Sequence, residues 1–380
     1  MYGGDNVYVR GGAMTPFGKF VDQSAESLAQ KAVLGALKDA GVARDAIDAA
    51  YVGSVFQGSL IGQRVLKDLG MTGIPIYNVE NACSSGATAL SQACLAVAVG
   101  QVETALVVGL EKLSKQGGGP LALDTGDPEI EQGLTMPALY AMRTQAYLNK
   151  YGGRMEQVAQ VTVKSRRHAA RNPYSQYRDP CTVEEVLASR PIADPITLLQ
   201  MCPNADGAAA VIVSRKPPAD GRAAVRVMGS VVSSGKFAQG FRDLTLPDIT
   251  ISAARKVYEM AGVGPEDVDL AEVHDAAAIA EVIYYEALGF CAAGEGLSLL
   301  EAGETAVGGR IPVNPSGGLL CRGHPLGATG VAQVVEIMWH LTGRAGERQV
   351  EGARIGVAHC TGGGIWGVDN GSCSMHVLGV

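Results

Sequence analysis

The chain has 380 residues, 47% hydrophobic and 18% charged, with a formal net charge of 31 − 38 = −7. That composition supports a buried core and excludes a disordered chain. The acidic balance argues against a nucleic-acid binder, which carries a basic excess. No run of about 18 apolar residues reads as a membrane span. No signal-peptide run opens the sequence and no peroxisomal address closes it, so the expected compartment is the cytoplasm.

In chain order, "VYVRGGAMTPFG" reads as a strand and a loop. "SAESLAQKAVLGALKDAG" reads as a helix, with a Ser N-cap and a Gly stop. "IDAAYVGSVF", "TGIPIYNVEN" and "TALVVGLEKLS" follow as strands. This β-α-β alternation predicts an α/β fold. From 113 to 200 the pattern changes to turn-rich and polar helical sequence, expected to be an insertion covering a site. "DGAAAVIVSRK" resumes the α/β pattern over 201–218. After the linker "PPADG", a second α/β unit is expected over 223–380. The first part of the first unit spans 1–112.

The second unit echoes the first. "CSSGATALSQ" begins at Cys83 and "HPLGATGVAQ" begins at His324, with G-A-T-x-x-x-Q at the same offset. Each follows a strand-like run and opens a helix. The echo predicts that Cys83 and His324 occupy equivalent points of two related domains, with both helix N-termini facing a common centre.

Of eight cysteines, Cys83 has the strongest local context. A thiol at a helix N-terminus sees unpaired N–H groups and the positive end of the dipole, which favour the thiolate. His324 lies in "GGLLCRGHPLGATG", with Pro325 suited to the first helical position. His274 lies in "EVHDAAAIAE", where Asp275 is the expected cap of the following helix. Cys360 lies in "HCTGGG", and consecutive glycines expose backbone N–H groups of the kind that hold an oxyanion. Each has a bland alternative as a packed turn or core residue; together they form a set of two thiols and two imidazoles. Cys94, Cys181, Cys202, Cys291, Cys321 and Cys373 lack such context and read as structural or incidental. No C-x-x-C pair occurs, so no metal site is expected.

"NVENACSSGATAL", "EVHDAAAIAE", "NPSGGLLCRGHPLGATG" and "HCTGGG" resemble the thiolase family, in order and across nearly the whole chain. The His-Asp pair is similar to sterol-carrier-protein-type thiolases; biosynthetic and degradative members have Asn-Glu-Ala-Phe there. This sequence departs from His-Asp-Cys-Phe with Ala276 and Ala277, which implies a roomier acyl pocket. The resemblance implies two pseudo-symmetric βαβαβαββ halves in an α-β-α-β-α arrangement with an inserted loop domain. It implies that Cys83 accepts the acyl group from a 3-oxoacyl-CoA, that His324 activates Cys83 and the incoming coenzyme A, and that Cys360 handles the α-proton. His274 and His324 would form one oxyanion hole, and the backbone N–H groups of Cys83 and Gly362 another. Coenzyme A is the implied co-substrate. "KSRRHAARN" offers Lys164, Arg166, Arg167 and Arg171 to its phosphates, or else a solvated helix face.

Family likeness also implies a homodimer or dimer of dimers. Some bacterial members of this type work with a small OB-fold, zinc-ribbon protein, and one such branch cleaves benzoylsuccinyl-CoA. Three rivals stand beside the thiolase reading. A decarboxylating ketoacyl-synthase-type enzyme needs one Cys and two His, so Cys360 argues against it. A retro-aldol enzyme on this fold generally lacks the nucleophilic Cys. A scaffold or lipid carrier needs none of these residues.

Overall fold

The structure, a computed structural model, describes residues 7–116, 119, 121, 128–219, 221–236, 242–364 and 369–380. The first half runs β1 (Tyr8–Met14), α1 (Ala25–Ala40), β2 (Ala49–Gly53), α2 (Ile61–Lys67), β3 (Ile76–Val79), α3 (Ser85–Ala98) and β4 (Thr104–Lys112). Ser24 caps α1, accepting from the Ser27 amide at 3.0 Å, and the helix ends at Gly41, as the sequence predicts. Between β4 and the next long strand lie α4 (Pro128–Glu131), α5 (Met136–Tyr151), α6 (Met155–Ala169), α7 (Val183–Ala188) and the short pair β5 (Pro191–Ala193) and β6 (Ile196–Thr197). β7 (Asp206–Ser214) closes the first half.

The second half runs β8 (Val225–Ser234), α8 (Asp248–Ala261), β9 (Leu270–Glu272), α9 (Ala278–Ala287), α10 (Gly296–Glu301), α11 (Gly318–Arg322), α12 (Leu326–Leu341), β10 (Ile355–Gly362) and β11 (Ser372–Gly379). Among the described residues nine strands join in one sheet, in the order β3-β2-β4-β7-β1-β8-β11-β10-β9. β1 and β8 meet at its centre through Tyr8↔Arg226 and Val9↔Val225. Outward from that seam the sides match: β7 and β11 run antiparallel to the inner strand, and β4 and β10 antiparallel to those. β2 and β9 then run parallel to β4 and β10. The β2–β3 pairing has its counterpart in the parallel bridge Ala271↔Val313.

Alternation along the strands builds the layers. Leu106, Val108 and Leu110 of β4 pack with α1 and α2, while Ala105 and Val107 face α3 and α12. In β10 and β11, Ala358 and Leu378 turn to the α3/α12 layer, and Val357, Met375 and Val377 turn to α8 and α9. The result is α-β-α-β-α, with α3 and α12 as the central layer and every residue of α12 buried. α12, buried all round, has no polar face to give to solvent, while α3 keeps Gln92 and Leu95 exposed.

The two central helices meet at the repeated glycines. A Cβ on Gly86 would lie 2.2 Å from the Gly327 carbonyl oxygen, and one on Gly327 would lie 2.5 Å from the carbonyls of Gly53 and Leu110. The G-A-T echo therefore records a packing need: only glycine lets the starts of α3 and α12 come this close. Among the described residues no helix is long and apolar enough to cross a membrane.

Candidate active site

Cys83 lies just ahead of α3, in a turn tied by short-range bonds. The amides of Ser84 and Ser85 donate to the carbonyls of Asn81 and Ala82 at 3.1 and 3.0 Å. Ser85 Oγ accepts from the Asn81 amide at 2.9 Å. Ala82 has φ +48°, a left-handed value that costs a non-glycine residue about 1–2 kcal/mol. The turn holds that strain because β11 braces it: Ser374 bonds Ser84 at 2.7 Å and Ser372 donates to the Asn81 carbonyl at 3.0 Å.

His324 comes from the equivalent point of the second half. Its amide donates to the Pro203 carbonyl at 3.1 Å, and Pro325 occupies the cap position of α12, one residue earlier than the sequence suggests. Its Nδ1 lies 2.8 Å from Thr329 Oγ1, and that hydroxyl donates to the Pro325 carbonyl at 3.0 Å. A hydroxyl has one proton, so Thr329 must accept from the imidazole. This fixes the Nδ1–H tautomer and leaves a lone pair on Nε2, which is buried and has no hydrogen-bond partner among the described residues.

His274 follows β9, and Cys360 sits on β10. The two histidine rings meet edge-on with centroids 5.0 Å apart. Cys360 Sγ lies 3.5 Å from His274 Nδ1 and 3.2 Å from the Cys83 carbonyl oxygen. Ligand-capable atoms of Cys83, His274 and His324 all lie within 4.8 Å of one another. Residues up to 277 positions apart thus converge on one point at the start of α3 and α12.

Burial sets the electrostatics. It pushes the Cys83 thiol up to about 12; the Gly363 backbone N–H works against this, and the nearby Glu111 charge adds to it. Desolvation thus opposes the helix end, which favours the thiolate. Burial also pushes the Cys360 thiol well up, with the Cys83 charge adding to it. It lowers His274 to about 3 and holds His324 well below the usual imidazole range. The resting site is uncharged: two thiols and two neutral imidazoles. Charge appears only when a proton moves.

Residues 7–217 match the family described as "Thiolase, N-terminal domain", and residues 229–368 match "Thiolase C-terminal domain-like". The chain belongs to the thiolase family. It is an enzyme of the acyltransferase class. It is 42% identical over 366 residues to the benzoylsuccinyl-CoA thiolase subunit BbsB of Thauera aromatica, covering 94% of this chain and 95% of that one. It is 42% identical over 387 residues to an acetyl-CoA acetyltransferase of Methanothermobacter thermautotrophicus, covering 98% and 99%. Human sterol carrier protein 2 is 39% identical over 94% of this chain and 70% of its own length. Among solved structures, an Ltp2-ChsH2(DUF35) aldolase superposes with TM-score 0.86 at 25% identity, covering 100% of this chain and 99% of that one.

This thiolase departs from the sequence reading at several points. Asp275 does not cap α9. It reaches 44 positions along the chain and accepts from the Leu319 amide at 2.7 Å, capping α11. Lys164 is turned away from any phosphate: it is buried, paired with Glu281 and bonded to the Val313 carbonyl at 2.9 Å. Arg166 is also buried, stacked over the Tyr177 ring and donating to the Asp179 carbonyl at 3.2 Å. Arg167 and Arg171 remain exposed. The α6 face is therefore neither a solvated stripe nor an arginine cluster. The Gly363 backbone N–H, one residue beyond Gly362, hydrogen-bonds the Cys83 thiol.

Three residues escaped the sequence reading. Thr329 was visible inside the repeat, but only as a pattern. Glu111 stands out as a charge in an apolar strand; its carboxylate accepts from the amides of Val55, Phe56 and Gly327 at 3.0, 2.9 and 3.2 Å, anchoring α12. Cys202 bonds through its amide to the Ala276 carbonyl at 3.0 Å, and its thiol feels the Cys83 charge. It stands beside the site rather than apart from it.

Proposed function

We propose that the enzyme cleaves a 3-oxoacyl-CoA with free coenzyme A, or runs the reverse condensation, through a Cys83 acyl-enzyme. The observation that carries this is the Nε2 lone pair of His324, held by Thr329 at the common start of the two central helices. His324 takes the Cys83 proton as sulfur attacks the 3-keto carbon, so the thiolate forms only in the reaction. The carbon–carbon bond breaks and the electron pair becomes a thioester enolate. Cys360 remains a thiol until then and gives its proton to the enolate carbon. Once protonated, His324 can donate from Nε2, and His274 can donate from Nε2 while its Nδ1 accepts from Cys360. Each positioned donor is worth about 3 kcal/mol of barrier. The amides of Cys83 and Gly362 serve the acyl oxygen, and the Gly363 amide serves the Cys83 sulfur. Coenzyme A then gives its thiol proton to the Cys360 thiolate and accepts the acyl group, and His324 returns its proton to the departing Cys83 sulfur.

The insertion at 113–200 forms the cover of the site, between the first-half segments 1–112 and 201–218 and facing the second half, 223–380. The small side chains of Ala276 and Ala277 favour a bulky, branched or aromatic acyl group, in keeping with the benzoylsuccinyl-CoA thiolase relative. Coenzyme A phosphates meet Arg167 rather than Arg166. The exposed edge strand β3, with Tyr77 exposed on it, supports a homodimer. The DUF35 partner named for the aldolase neighbour supports a small auxiliary subunit of OB-fold, zinc-ribbon type.

A panel of 3-oxoacyl-CoA esters with free coenzyme A, followed by mass spectrometry of the acylated peptide, tests this. Acylation at Cys83 with two acyl-CoA products is expected. The same neighbour favours a retro-aldol reading, for which the outcome would be release of an aldehyde and no acylated Cys83.

A further inference from the structure

We propose that Cys83, His274 and His324 form a reversible inhibitory site for a thiophilic divalent cation, with Zn2+ the fitting ion. The three ligand atoms already lie within 4.8 Å of one another. A tetrahedral zinc bound at about 2.3 Å from sulfur and about 2.0 Å from nitrogen needs them roughly 3.5 Å apart. The atoms would then have to close by at most about 1.3 Å. One thiolate and two imidazoles are a soft set that takes Zn2+ and rejects Mg2+ and Ca2+, which want oxygen.

The second observation is the state of the imidazoles. His324 Nε2 is buried with no hydrogen-bond partner among the described residues, and its lone pair is free because Thr329 holds the Nδ1 proton. With an ion bound, the Cys360 S–H turns to the Cys83 carbonyl and His274 takes the Nδ1–H tautomer facing the Cys360 sulfur, the reverse of the tautomer proposed for turnover, so that its Nε2 offers a lone pair. Metal-binding histidines depend on this arrangement, in which the far ring nitrogen is held by a neighbour. Here Thr329 holds His324 before any ion arrives, and the Cys360 sulfur stands 3.5 Å from His274 Nδ1 to hold the second ring. The fourth position falls where the substrate would sit and is filled by water.

Binding breaks the Cys83 S–H bond, releases the proton to solvent and forms an S–Zn bond, with no change of oxidation state. It removes the nucleophile and its base in one step. The site thus links enzyme turnover to the free zinc level, and acyl-CoA and zinc exclude each other.

Co2+ serves as the visible probe. Titrating the purified enzyme should give one equivalent of a thiolate-to-cobalt charge-transfer band with intense tetrahedral d–d absorption. Cys83→Ser should abolish the band, and Thr329→Val should weaken binding about 10–100-fold by loosening His324. Zn2+, but not Mg2+, should protect Cys83 of the wild-type enzyme from iodoacetamide; chelator should restore labelling, and Cys181 and Cys291 should label equally throughout. A cobalt band that survives in Cys83→Ser, or Zn2+ that leaves Cys83 labelling unchanged, would overturn the proposal. Both readouts need no substrate, so they stand whatever reaction the enzyme catalyses.

Discussion

Thr329 and His324 form a hydroxyl–imidazole pair at 2.8 Å in which the threonine accepts. The equivalent residue of the first half, Thr88, plays a different part. It bonds Asn81 and Ser374, both at 3.1 Å, and braces the Cys83 turn. One repeated motif thus braces the Cys83 turn on one side and sets the His324 tautomer on the other.

Thr329→Val keeps the shape and removes the acceptor. The His324 tautomer is then no longer held, and kcat should fall about 10–100-fold with little change in thermal stability. Thr329→Ser should recover most of the rate. Stopped-flow acylation measures the loss, and nitrogen NMR of the His324 ring should show the Nδ1–H form giving way to a mixture. Unchanged tautomer and rate in the valine variant would reject the assignment.

The two thiols should separate in half-reactions. On the proposed mechanism, acyl exchange between an acyl-CoA and free coenzyme A uses Cys83 and His324 but moves no α-proton, whereas cleavage moves one through Cys360. Cleavage of a 3-oxoacyl-CoA also needs the Cys360 proton. Cys360→Ala should therefore keep exchange within a few-fold and lose cleavage by about 100–10,000-fold, the usual range for a lost acid or base. Cys83→Ser should lose both. Equal losses of exchange and cleavage in Cys360→Ala would place that thiol in a structural role.

Much of this was legible from the sequence because its signals are local. Buried strands read as apolar runs, and the G-A-T echo placed Cys83 and His324 at matching helix starts, where the structure has them. The departures all arise from contacts distant in sequence. Asp275 looked like a cap for its own helix, but its partners are the amides at 319 and 320. Lys164 and Arg166 looked solvent-facing because their helix is charged, yet α6 is packed by α7, α9, α10 and α11 together. The protonation of Cys83 depends on desolvation, which no residue pattern states.

The crossing of α3 and α12 should tolerate no side chain at its closest point. Gly86→Ala would put a methyl carbon 2.2 Å from the Gly327 carbonyl oxygen, and Val331 blocks retreat at 2.9 Å. Neither neighbour is a flexible side-chain end, so the helices must part. We expect a loss of at least about 3 kcal/mol, at the upper end for overpacked cores, together with loss of activity as Cys83 and His324 separate. Chemical denaturation measures the first, and the rate of Cys83 alkylation the second. A Gly86→Ala enzyme with wild-type stability would show that the crossing is looser than this geometry.

Acid should unfold the protein through its histidines. All six histidines are buried, and burial lowers each of them: His168, His274, His340 and His359 to about 3, His376 to about 4, and His324 well below its usual range. His168 shows why: Nδ1 donates to the Asn314 carbonyl at 2.9 Å and Nε2 accepts from the Val307 amide at 3.1 Å, leaving no place for a second proton. The unfolded chain takes up protons below about pH 6.5 while the folded one does not, so stability falls as pH falls from there towards 3. Each histidine contributes about 1.4 kcal/mol per pH unit once well below 6.5. Glu272, raised by burial to about 7, and Glu111 and Asp275, also raised, oppose this, because the folded state holds their protons first. Their stabilising effect is complete below about pH 4.5 and fades as pH rises through their folded values. Between about pH 6 and 4.5 six imidazoles outnumber three carboxyls, so stability falls on balance as pH falls. Urea midpoints should therefore drop steeply between pH 6.5 and 5. In His340→Gln, which keeps an acceptor for the Val350 amide, that slope should ease by about 1.4 kcal/mol per pH unit. A midpoint that holds level from pH 7 to 5 would mean that these imidazoles are not held neutral by the fold.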